Sequence, residues 1–278
     1  MNIAVIGLGL IGGSMAKGIK TKTGHMVFGK DTNSETMLMA SLSGAIDKEI
    51  DDKILGDCDL IFLCLTPNVA INWLEENKKK ISSKTTVVDF CGIKRDVCKK
   101  LSKIAEEGNF SYVGGHPMAG KERGGFKNSS PDLFTGASMI LTPDEKTLPE
   151  TLETLSSLFY DVGFSRIVYS TPEEHDRIIA YTSQLAHIVS SAYIKSPEAA
   201  RQRGFSAGSF RDMTRVAYLD EKMWTELFLG DADYLTKELG ILISHLEEYK
   251  SALESGNKEE LTKLLKEGRE AKIVAGGN

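Results

Sequence analysis

The stretch NIAVIGLGLIGGS, residues 2–14, decides the fold of this chain. The strand-forming run NIAVI leads directly into a G-x-G-x-x-G pattern made by Gly7, Gly9 and Gly12. Ser14 then opens the amphipathic segment SMAKGIK. Strand, glycine-rich turn and helix follow in the order that a dinucleotide-binding unit requires, and this context makes a weak pattern specific. The stretch predicts a Rossmann-type α/β domain.

The three glycines have separate physical roles in such a turn. Gly7 permits the tight turn, Gly9 lets a pyrophosphate approach the backbone, and Gly12 lets helix and strand pack closely. The helix N-terminus then faces the anion with its unpaired backbone N–H groups. A glycine turn of purely structural use is the alternative. We expect the cofactor-binding turn to comprise Gly7, Leu8, Gly9, Leu10, Ile11 and Gly12.

A second strand, MVFGKD, ends in Asp31, near the distance from the turn at which an acidic residue hydrogen-bonds the adenosine ribose. That position favours NAD over NADP. Lys30 argues the other way, because a basic residue could accept a 2'-phosphate, and Asp31 could also be a solvated turn residue. Further along, DLIFLCL predicts a buried strand, followed by a helix that Thr66 caps and Pro67 begins. We expect this loop to contact the dinucleotide as well.

Short β-branched runs alternate with amphipathic segments in the first half, which predicts a doubly wound, mostly parallel sheet with helices on both faces. The strand candidates are NIAVI, MVFGKD, DLIFLCL, TTVVDF, YVGGH, SMILT and RIVYS. After Tyr169 the pattern becomes helical, and Thr171 followed by Pro172 suits an N-cap and first helical position. We therefore expect a dinucleotide-binding domain over residues 1–170 and an all-α helical dimerisation domain over residues 171–278.

The segment 221–254 carries apolar residues at steps of four and three, which is a heptad-like seam. Its members are Leu235, Leu239, Leu242, Leu246, Tyr249 and Leu253. A helix packed inside its own domain is one interpretation. At 1.5 Å per residue the run would reach roughly 50 Å, more than a helical domain of about 110 residues easily covers. We therefore expect a homodimer through these helices, although Gly230 and Gly240 could bend or break the run.

Composition argues against several classes of partner. The chain has 34 basic and 39 acidic residues and a net charge of −5, so we expect no nucleic-acid partner. No apolar stretch approaches the roughly 20 residues of a membrane helix, and glycines interrupt the apolar N-terminal run that a signal peptide would need. The cysteines show neither CxxC nor metal-ligand spacing. We expect reduced cysteines, no metal site and a cytoplasmic protein.

Hydride transfer to a dinucleotide requires a group that takes the proton of the substrate hydroxyl as the carbonyl forms. Histidine suits this role at neutral pH. His116, in HPMAG, follows the strand SYVGG and should lie at the carboxyl edge of the sheet, on the side of the glycine turn. Pro117 restricts its backbone to an extended conformation. His116 is therefore the candidate base, and a structural loop histidine is the alternative.

Polar residues occur at unexpected positions in the helical half. His175 and Asp176 open its first helix, and His187 lies on one face of that helix. Such a stripe either lines a pocket or caps a neighbouring element. In GSFRDMTRVA, Asp212 precedes Arg215 by three residues, as in a helical ion pair. The functional interpretation is a guanidinium that binds a substrate carboxylate and is held by Asp212.

Several motifs in order make the chain resemble the prephenate and arogenate dehydrogenases of tyrosine biosynthesis. They are GLGLIGGS, HPMAGKE, HD followed by SQLAH, GSFRDMTRVA and MW, and they extend from Asn2 to Trp224. The resemblance implies an NAD-dependent oxidative decarboxylation of prephenate to 4-hydroxyphenylpyruvate. Hydride leaves one ring carbon, carbon dioxide leaves the opposite one, and the ring becomes aromatic. His116 would take the proton of the ring hydroxyl.

The same resemblance implies a substrate pocket made by Arg215, His187, Glu122, Asp212, Asp176 and Trp224. Arg215 matches the arginine that binds a substrate carboxylate. Asp212 and Asp176 match acidic residues that pair near it and gate access. Trp224 matches a tryptophan that reaches the site of the neighbouring subunit in a dimer.

Three features depart from the pattern of this family. Gly92 replaces a serine that lies near the nicotinamide in a D-x-x-S-V-K segment, so the hydrogen bond by which that serine orients His116 must come from another group or be missing. SQLAH replaces SHLPH, with Gln184 and Ala186 as the differing residues, and Lys121 stands where threonine is common. These changes bear on fine specificity and leave the expected reaction class unchanged.

An NAD-dependent prephenate dehydrogenase is the resulting hypothesis. An arogenate dehydrogenase, which acts on an amino acid in place of a keto acid, is the nearest alternative; His187, as a potential donor to a keto acid, favours prephenate. A β-hydroxyacid dehydrogenase shares the glycine turn and a helical second domain but does not explain HPMAG together with FRDMTR. A non-catalytic protein would bind NAD yet turn over neither substrate.

Overall fold

The computed structural model describes residues 1–276. They form two compact units, a first over Met1–Asp231 and a second that begins at Ala232. The first unit contains one eight-stranded sheet. Its strands are β1 (Asn2–Ile6), β2 (Met26–Lys30), β3 (Lys48–Glu49), β4 (Leu60–Leu63), β5 (Thr86–Asp89), β6 (Ser111–Pro117), β7 (Ser138–Thr142) and β8 (Arg166–Tyr169).

Ten α-helices accompany this sheet in the first unit. They are α1 (Leu10–Lys22), α2 (Ser34–Leu42), α3 (Asp52–Gly56), α4 (Pro67–Asn77), α5 (Arg95–Gly108), α6 (Pro149–Val162), α7 (Pro172–Ile179), α8 (Ala186–Tyr193), α9 (Gly208–Thr214) and α10 (Glu221–Gly230). A π-helical segment, Ala180–Leu185, joins α7 to α8. The second unit consists of α11 (Ala232–Glu254) and α12 (Lys258–Ala275).

The sheet has the strand order β3-β2-β1-β4-β5-β6-β7-β8. Every neighbouring pair is parallel except β6 and β7, which are antiparallel. The chain therefore builds outward from β1 in one direction and then returns to build outward from β4 in the other. In such a sheet the crevice at the carboxyl ends of β1 and β4 is where ligands bind. The expected doubly wound, mostly parallel sheet is confirmed.

The core lies on both faces of the sheet, because side chains alternate along each strand. Phe62 of β4 and Val88 of β5 enter one apolar cluster, while Ile61 and Val87 enter the other. Both faces are thus covered, which explains why the inner strands appear in the sequence as continuous apolar runs. The short strand β3 lacks this signal, since both of its residues are exposed, and the sequence did not indicate it.

Helix α7 begins as expected. Thr171 is its N-cap, accepts a hydrogen bond from the backbone N–H of Glu174, and is followed by Pro172. The long helical run expected over 221–254 is broken after Gly230. A Cβ atom at Gly230 would lie 2.4 Å from Cδ1 of Ile93, so glycine allows Ile93 to approach the last residue of α10 closely. Asp231 lies between the end of α10 and the start of α11.

Helix α11 continues through Gly240 and spans 23 residues, about 34 Å at 1.5 Å per residue. In the second unit, the hydroxyl of Tyr249 donates to the carbonyl of Leu264 at 3.1 Å. Along the heptad-like seam Leu246 and Leu253 remain 57% and 65% exposed. The division into compact units falls after Asp231; the expected domain boundary at residue 170 marks the change from α/β to all-α structure and stays a prediction.

Candidate active site

The glycine-rich turn between β1 and α1 is built as its pattern predicts. Gly7 has φ 87°, and a Cβ atom there would lie 2.5 Å from the carbonyl oxygen of Cys64. A Cβ atom at Gly12 would lie 1.8 Å from the carbonyl oxygen of Gly7. At Gly9 no atom lies within 4 Å of the Cβ position, and no side chain caps the N-terminus of α1. Gly7 and Gly12 are therefore required by packing, whereas Gly9 leaves room for a ligand.

Asp31 lies directly against this turn. Its carboxylate accepts hydrogen bonds from the backbone N–H groups of Leu8 and Asn33, both at 2.8 Å. Lys30, the residue that could have accepted a 2'-phosphate, forms an ion pair with Glu49 on β3. An acidic group therefore borders the turn, while the neighbouring basic group is engaged elsewhere. This arrangement suits the free hydroxyls of an adenosine ribose.

The loop after β4 has a different cap from the one expected. Thr66 occupies the N-cap position of α4 and Pro67 begins the helix, but the Thr66 side chain makes no capping hydrogen bond. The carboxylate of Glu226, on α10, instead accepts from the backbone N–H of Asn68 at 2.6 Å. Carboxylates are favourable partners for a helix N-terminus. The contact brings α10 to the carboxyl end of β4.

Helix α10 also covers the loop between β5 and α5. Leu227 lies 3.4 Å from the Cβ position of Gly92. At the end of the helix, the guanidinium of Arg95 pairs with Asp231 at 2.9 Å. Helix α10 therefore packs against Gly92 near the carboxyl edge of the sheet.

His116 lies at this edge, near the end of β6, and its ring is half-buried. Nδ1 is 2.8 Å from Nε2 of His175. Nε2 is 4.0 Å from the Cβ position of Gly92 and makes no hydrogen bond within residues 1–276. Burial, and then the nearby charges of His175 and Lys94, lower the pKa of His116 well below its ordinary value of 6.5. The ring is therefore neutral at neutral pH and has one nitrogen available to a ligand.

Asp176 lies behind His116. Its Oδ1 is 2.7 Å from Nδ1 of His175 and accepts from the backbone N–H of Lys94, while Oδ2 accepts from the backbone N–H of Arg95. The side chains of His175 and Asp176 are at most 1% exposed. Among the described residues Asp176 forms no ion pair with Arg215, so the structure does not bring these two predicted pocket residues together.

Arg215 occupies a short 3₁₀ turn after α9 and is 60% exposed. Its guanidinium pairs with Glu122 at 3.0 Å, so the structure does bring together two of the predicted pocket residues. Asp212 is exposed and forms no ion pair with any described residue. The helical ion pair between Asp212 and Arg215 is absent from residues 1–276. The guanidinium therefore keeps most of its surface available for a carboxylate.

His187 and Trp224 form the aromatic part of the site. Their ring centroids lie 3.9 Å apart within one chain. Nδ1 of His187 donates to the backbone carbonyl of Ser183 at 2.8 Å, because a carbonyl can only accept. Burial and the charge of Arg215 lower the pKa of His187, so the ring is neutral and its Nε2 is an acceptor. The predicted contact of Trp224 with a neighbouring subunit stays a prediction.

A buried ion pair lies below the site, and the sequence reasoning missed it. Lys94 and Asp89 are fully buried and hydrogen-bonded to each other. Nζ of Lys94 also donates to the carbonyl of Gly115 at 2.7 Å, and the hydroxyl of Tyr112 donates to Asp89 at 2.6 Å. The signal was present in DFCGIK, where two charges bracket the end of an apolar strand. Buried charges require such pairing, so this motif predicts an internal ion pair.

Residues 1–276 contain neither a cluster of metal-binding side chains nor a helix that could span a membrane. No group of three or more His, Cys, Asp or Glu side chains could hold a metal ion there. In the same part of the chain, none of the helices combines the length and apolar character needed to cross a membrane. All four cysteines are free thiols.

Known proteins share this architecture. The curated cyclohexadienyl dehydrogenase of Zymomonas mobilis is 30% identical, over 98% of this chain and 95% of that protein. The solved prephenate dehydrogenase of A. aeolicus, in complex with hydroxyphenyl propionate and NAD+, has a TM-score of 0.84 and 29% identity, over 99% of this chain and 98% of that one. The arogenate dehydrogenase of Synechocystis has a TM-score of 0.81 and 28% identity, over 99% and 100%.

Two family models match consecutive parts of the sequence. The nucleotide-binding domain of prephenate dehydrogenase matches residues 15–168, which begin just after the glycine-rich turn. The dimerization domain of prephenate dehydrogenase matches residues 171–267. Together with the turn, the half-buried histidine at the sheet edge and the exposed arginine, these matches establish that the chain is a dehydrogenase that belongs to the prephenate dehydrogenase family.

Proposed function

We propose that this protein is an NAD-dependent prephenate dehydrogenase, which converts prephenate to 4-hydroxyphenylpyruvate for tyrosine biosynthesis. The observation that carries the proposal is the state of His116. Its ring is neutral, its Nδ1 contacts His175, and its Nε2 faces the carboxyl edge of the sheet beside Gly92. A base in this place is what oxidation of a ring hydroxyl requires.

NAD fits the residues present at the crevice. Room at the Cβ position of Gly9 and the uncapped N-terminus of α1 suit a pyrophosphate, and Asp31 suits the ribose. The A. aeolicus relative was solved with NAD+. When bound, NAD accepts a hydride from the ring carbon that bears the hydroxyl. The residues that would hold it are Gly7, Leu8, Gly9, Leu10, Ile11, Gly12, Asp31, Thr66 and Gly92.

The protein's own part in the reaction is small. Nε2 of His116 takes the hydroxyl proton as the carbon–oxygen bond becomes a carbonyl. The bond to the carboxylate on the opposite ring carbon breaks, carbon dioxide leaves, and its electron pair completes the aromatic ring, so that the carbonyl becomes a phenolate oxygen. His116 then returns its proton to this oxygen, which gives the phenol of the product. Because aromatisation makes this step favourable, the enzyme has mainly to orient the substrate and to accept one proton.

Arg215 is the candidate for binding a substrate carboxylate. A guanidinium can donate two parallel hydrogen bonds to a carboxylate, which fixes orientation as well as position. Glu122 pairs with Arg215 in the structure, and both side chains are substantially exposed. A substrate carboxylate would compete with Glu122 for the same donors. We therefore infer that Arg215 and Glu122 form one recognition element.

Arogenate dehydrogenase activity is the second candidate, and His187 favours it. Because its Nδ1 donates to Ser183, the neutral ring presents an acceptor at Nε2, where the sequence had suggested a donor. An acceptor suits the ammonium group of an amino acid better than the carbonyl group of a keto acid. The relatives include proteins named for each of these activities.

Formation of reduced nicotinamide, followed by its absorbance, separates these candidates. The purified protein is assayed with prephenate and arogenate, each against NAD and NADP. We expect turnover of prephenate with NAD and its loss in His116→Gln. The control His245→Gln removes an exposed histidine of the second unit and should keep full activity. Turnover of arogenate alone would overturn the substrate but keep the mechanism, and turnover of neither would overturn the function.

We also infer that two copies pair through the helical part of the chain. The match to a dimerization domain over residues 171–267 supports this, as do the exposed apolar side chains of α11 and α12. The most exposed of them are Leu246, Leu253, Leu265, Ile273 and Val274. A cytoplasmic location suits a biosynthetic dehydrogenase of this family and remains a prediction.

A further inference from the structure

We propose that His175 and Asp176 are positioning residues that fix the tautomer of His116, with the proton on Nδ1 and the lone pair on Nε2. The inference deepens the proposed function, because it rests on His116 as the base. Nδ1 of His116 is 2.8 Å from Nε2 of His175, and Nδ1 of His175 is 2.7 Å from Oδ1 of Asp176. The three side chains form a continuous chain of hydrogen bonds.

The direction of this chain is set at Asp176. Its two oxygens accept from the backbone N–H groups of Lys94 and Arg95, at 2.7 and 2.9 Å. Burial opposes ionisation, but hydrogen bonds from His175 and from the backbone outweigh it and hold the pKa of Asp176 below its ordinary value. An ionised carboxylate only accepts hydrogen bonds. Nδ1 of His175 must therefore carry a hydrogen and donate it to Asp176.

The hydrogen-bond direction at His175 in turn determines which nitrogen of His116 carries the hydrogen. Burial lowers the pKa of His175 even though Asp176 opposes the shift, so the ring is neutral and its Nε2 holds a lone pair. That lone pair can only accept, and the donor 2.8 Å away is Nδ1 of His116. In a neutral imidazole the other nitrogen, Nε2, is then the acceptor. This nitrogen is the one that faces Gly92 and the ligand crevice.

The buried ion pair supports the same protonation state. The positive charge of Lys94 acts to lower the pKa of both His116 and His175 and so disfavours a proton on either ring, although Asp89 opposes this effect at His175. Lys94 also donates hydrogen bonds near both ends of the chain formed by His116, His175 and Asp176. Its ammonium donates to the carbonyl of Gly115, next to His116, and its backbone N–H donates to Asp176.

Because position 92 is a glycine, the His116 ring has to be held from the side that faces His175 and Asp176. It has no side chain that could hold the His116 ring from the crevice side. The contact with His175 is the single hydrogen bond that the ring makes within the described part of the chain. Removing the acceptor at position 175 should therefore release both the orientation and the tautomer of His116.

The tautomer can be measured without substrate. The full-length protein is labelled with ¹⁵N-histidine, and the two ring nitrogens of His116 are assigned by comparison with His116→Gln. We expect a protonated Nδ1 and an unprotonated Nε2 at neutral pH. In His175→Leu the ring should lose this fixed pattern, whereas His175→Gln, whose amide oxygen can accept, should retain it. His245→Gln is the matched control and should leave the His116 signals unchanged.

Kinetics provide the second readout. With the substrate found in the four-way assay, His175→Leu should lower kcat by about 10²-fold or more at nearly unchanged KM, and His175→Gln should lower it by less than about 10-fold. If His175→Leu does not fold, Asp176→Asn tests the same chain of bonds, because an amide removes the charge that directs it. In Asp176→Asn one carboxylate oxygen that accepts hydrogen bonds is replaced, and thermal unfolding measures how much stability the variant loses.

Two results would overturn the inference. One is a wild-type His116 that carries its proton on Nε2, and the other is a folded His175→Leu or Asp176→Asn variant with the wild-type tautomer and kcat. These outcomes differ from failure of the proposed function. A wild-type protein that turns over neither substrate would reject the enzyme activity, while the ¹⁵N measurement would still decide the tautomer.

Discussion

His116 shows how one side chain acquires its chemistry from its surroundings. The residue type allows a proton to be taken near neutral pH, but the local structure decides which nitrogen takes it and at what pH. Burial and the adjacent Lys94 keep the ring neutral, and His175 occupies Nδ1. In the serine-protease triad, replacing the aspartate that fixes the histidine tautomer lowers turnover by about 10⁴-fold. The role proposed for His175 and Asp176 follows the same physical logic in a different reaction.

The lowered pKa of His116 predicts the pH dependence of the enzyme. A base with its pKa well below 6.5 stays deprotonated as the pH falls from 7 through 6.5. We therefore expect kcat/KM to remain level through this range and to decline only at lower pH. The measurement is kcat/KM across roughly pH 5 to 8, the range in which histidines ordinarily titrate. A fall of kcat/KM on the acid side that is centred at or above pH 6.5 would contradict the assignment of the buried His116 as the base.

At the scale of elements, the turn between β1 and α1 contains one glycine that packing requires, Gly12, and one that leaves room for a ligand, Gly9. A methyl group at Gly12 would overlap the carbonyl of Gly7, whereas a methyl group at Gly9 meets nothing within 4 Å. Gly9 has φ −68°, which is outside the left-handed region that disfavours alanine. The two positions therefore form a matched pair of substitutions, one that strains the fold and one that fills the space left for the cofactor.

We expect Gly12→Ala to destabilise the protein by about 1–3 kcal/mol, the range for overpacking of a close contact. Gly9→Ala should leave the unfolding temperature unchanged and weaken NAD binding by about 10-fold or more, because its methyl group occupies the approach of the pyrophosphate. Thermal unfolding and titration with NAD measure the two effects. Equal loss of stability in both variants would show that the turn is purely structural.

Helix ends were predicted well where a local signal exists. Thr171 caps α7 and Pro172 follows it, as the residue types indicate. Helix α10 ends at Gly230, whose Cβ position lies 2.4 Å from Ile93, a residue far away in sequence. Glycine at position 240 lies inside a continuous helix. The same residue type thus ends one helix and lies within another, so glycine alone does not predict where a helix ends.

At the scale of the whole molecule, the exposed apolar side chains of the second unit predict a dimer that can be disrupted from its surface. Leu246 and Leu253 are 57% and 65% exposed on α11. We expect Leu246→Arg combined with Leu253→Arg to produce monomers in sedimentation or size-exclusion experiments, because buried unpaired charges are costly at an interface.

The control is Leu42→Arg, at a position on α2 that is 80% exposed and belongs to the first unit. It should leave the oligomeric state unchanged. If the wild-type chain is already monomeric at all concentrations, pairing through α11 and α12 is wrong. If the double variant still dimerises, the interface lies on a different surface.

The sequence by itself determined the α/β class, the position of the dinucleotide turn and the change to helices after residue 170, and it singled out His116 and Arg215 as candidate site residues. These depend on local patterns such as glycine spacing, strand alternation and helix caps, which are legible along the chain. Motif resemblance placed Asp176 in the substrate pocket, and the structure puts it behind His175. Its role in the substrate pocket stays a prediction.

Only the tertiary structure decided which groups meet. Lys94 and Asp89 pair inside the core, His175 reaches His116 from a helix 59 residues away, and Glu226 caps α4 in place of Thr66. Their pKa values and hydrogen-bond directions depend on burial and on neighbours distant in sequence. A linear pattern specifies which residues are available, whereas solvent exclusion and contact geometry determine the protonation states with which they act.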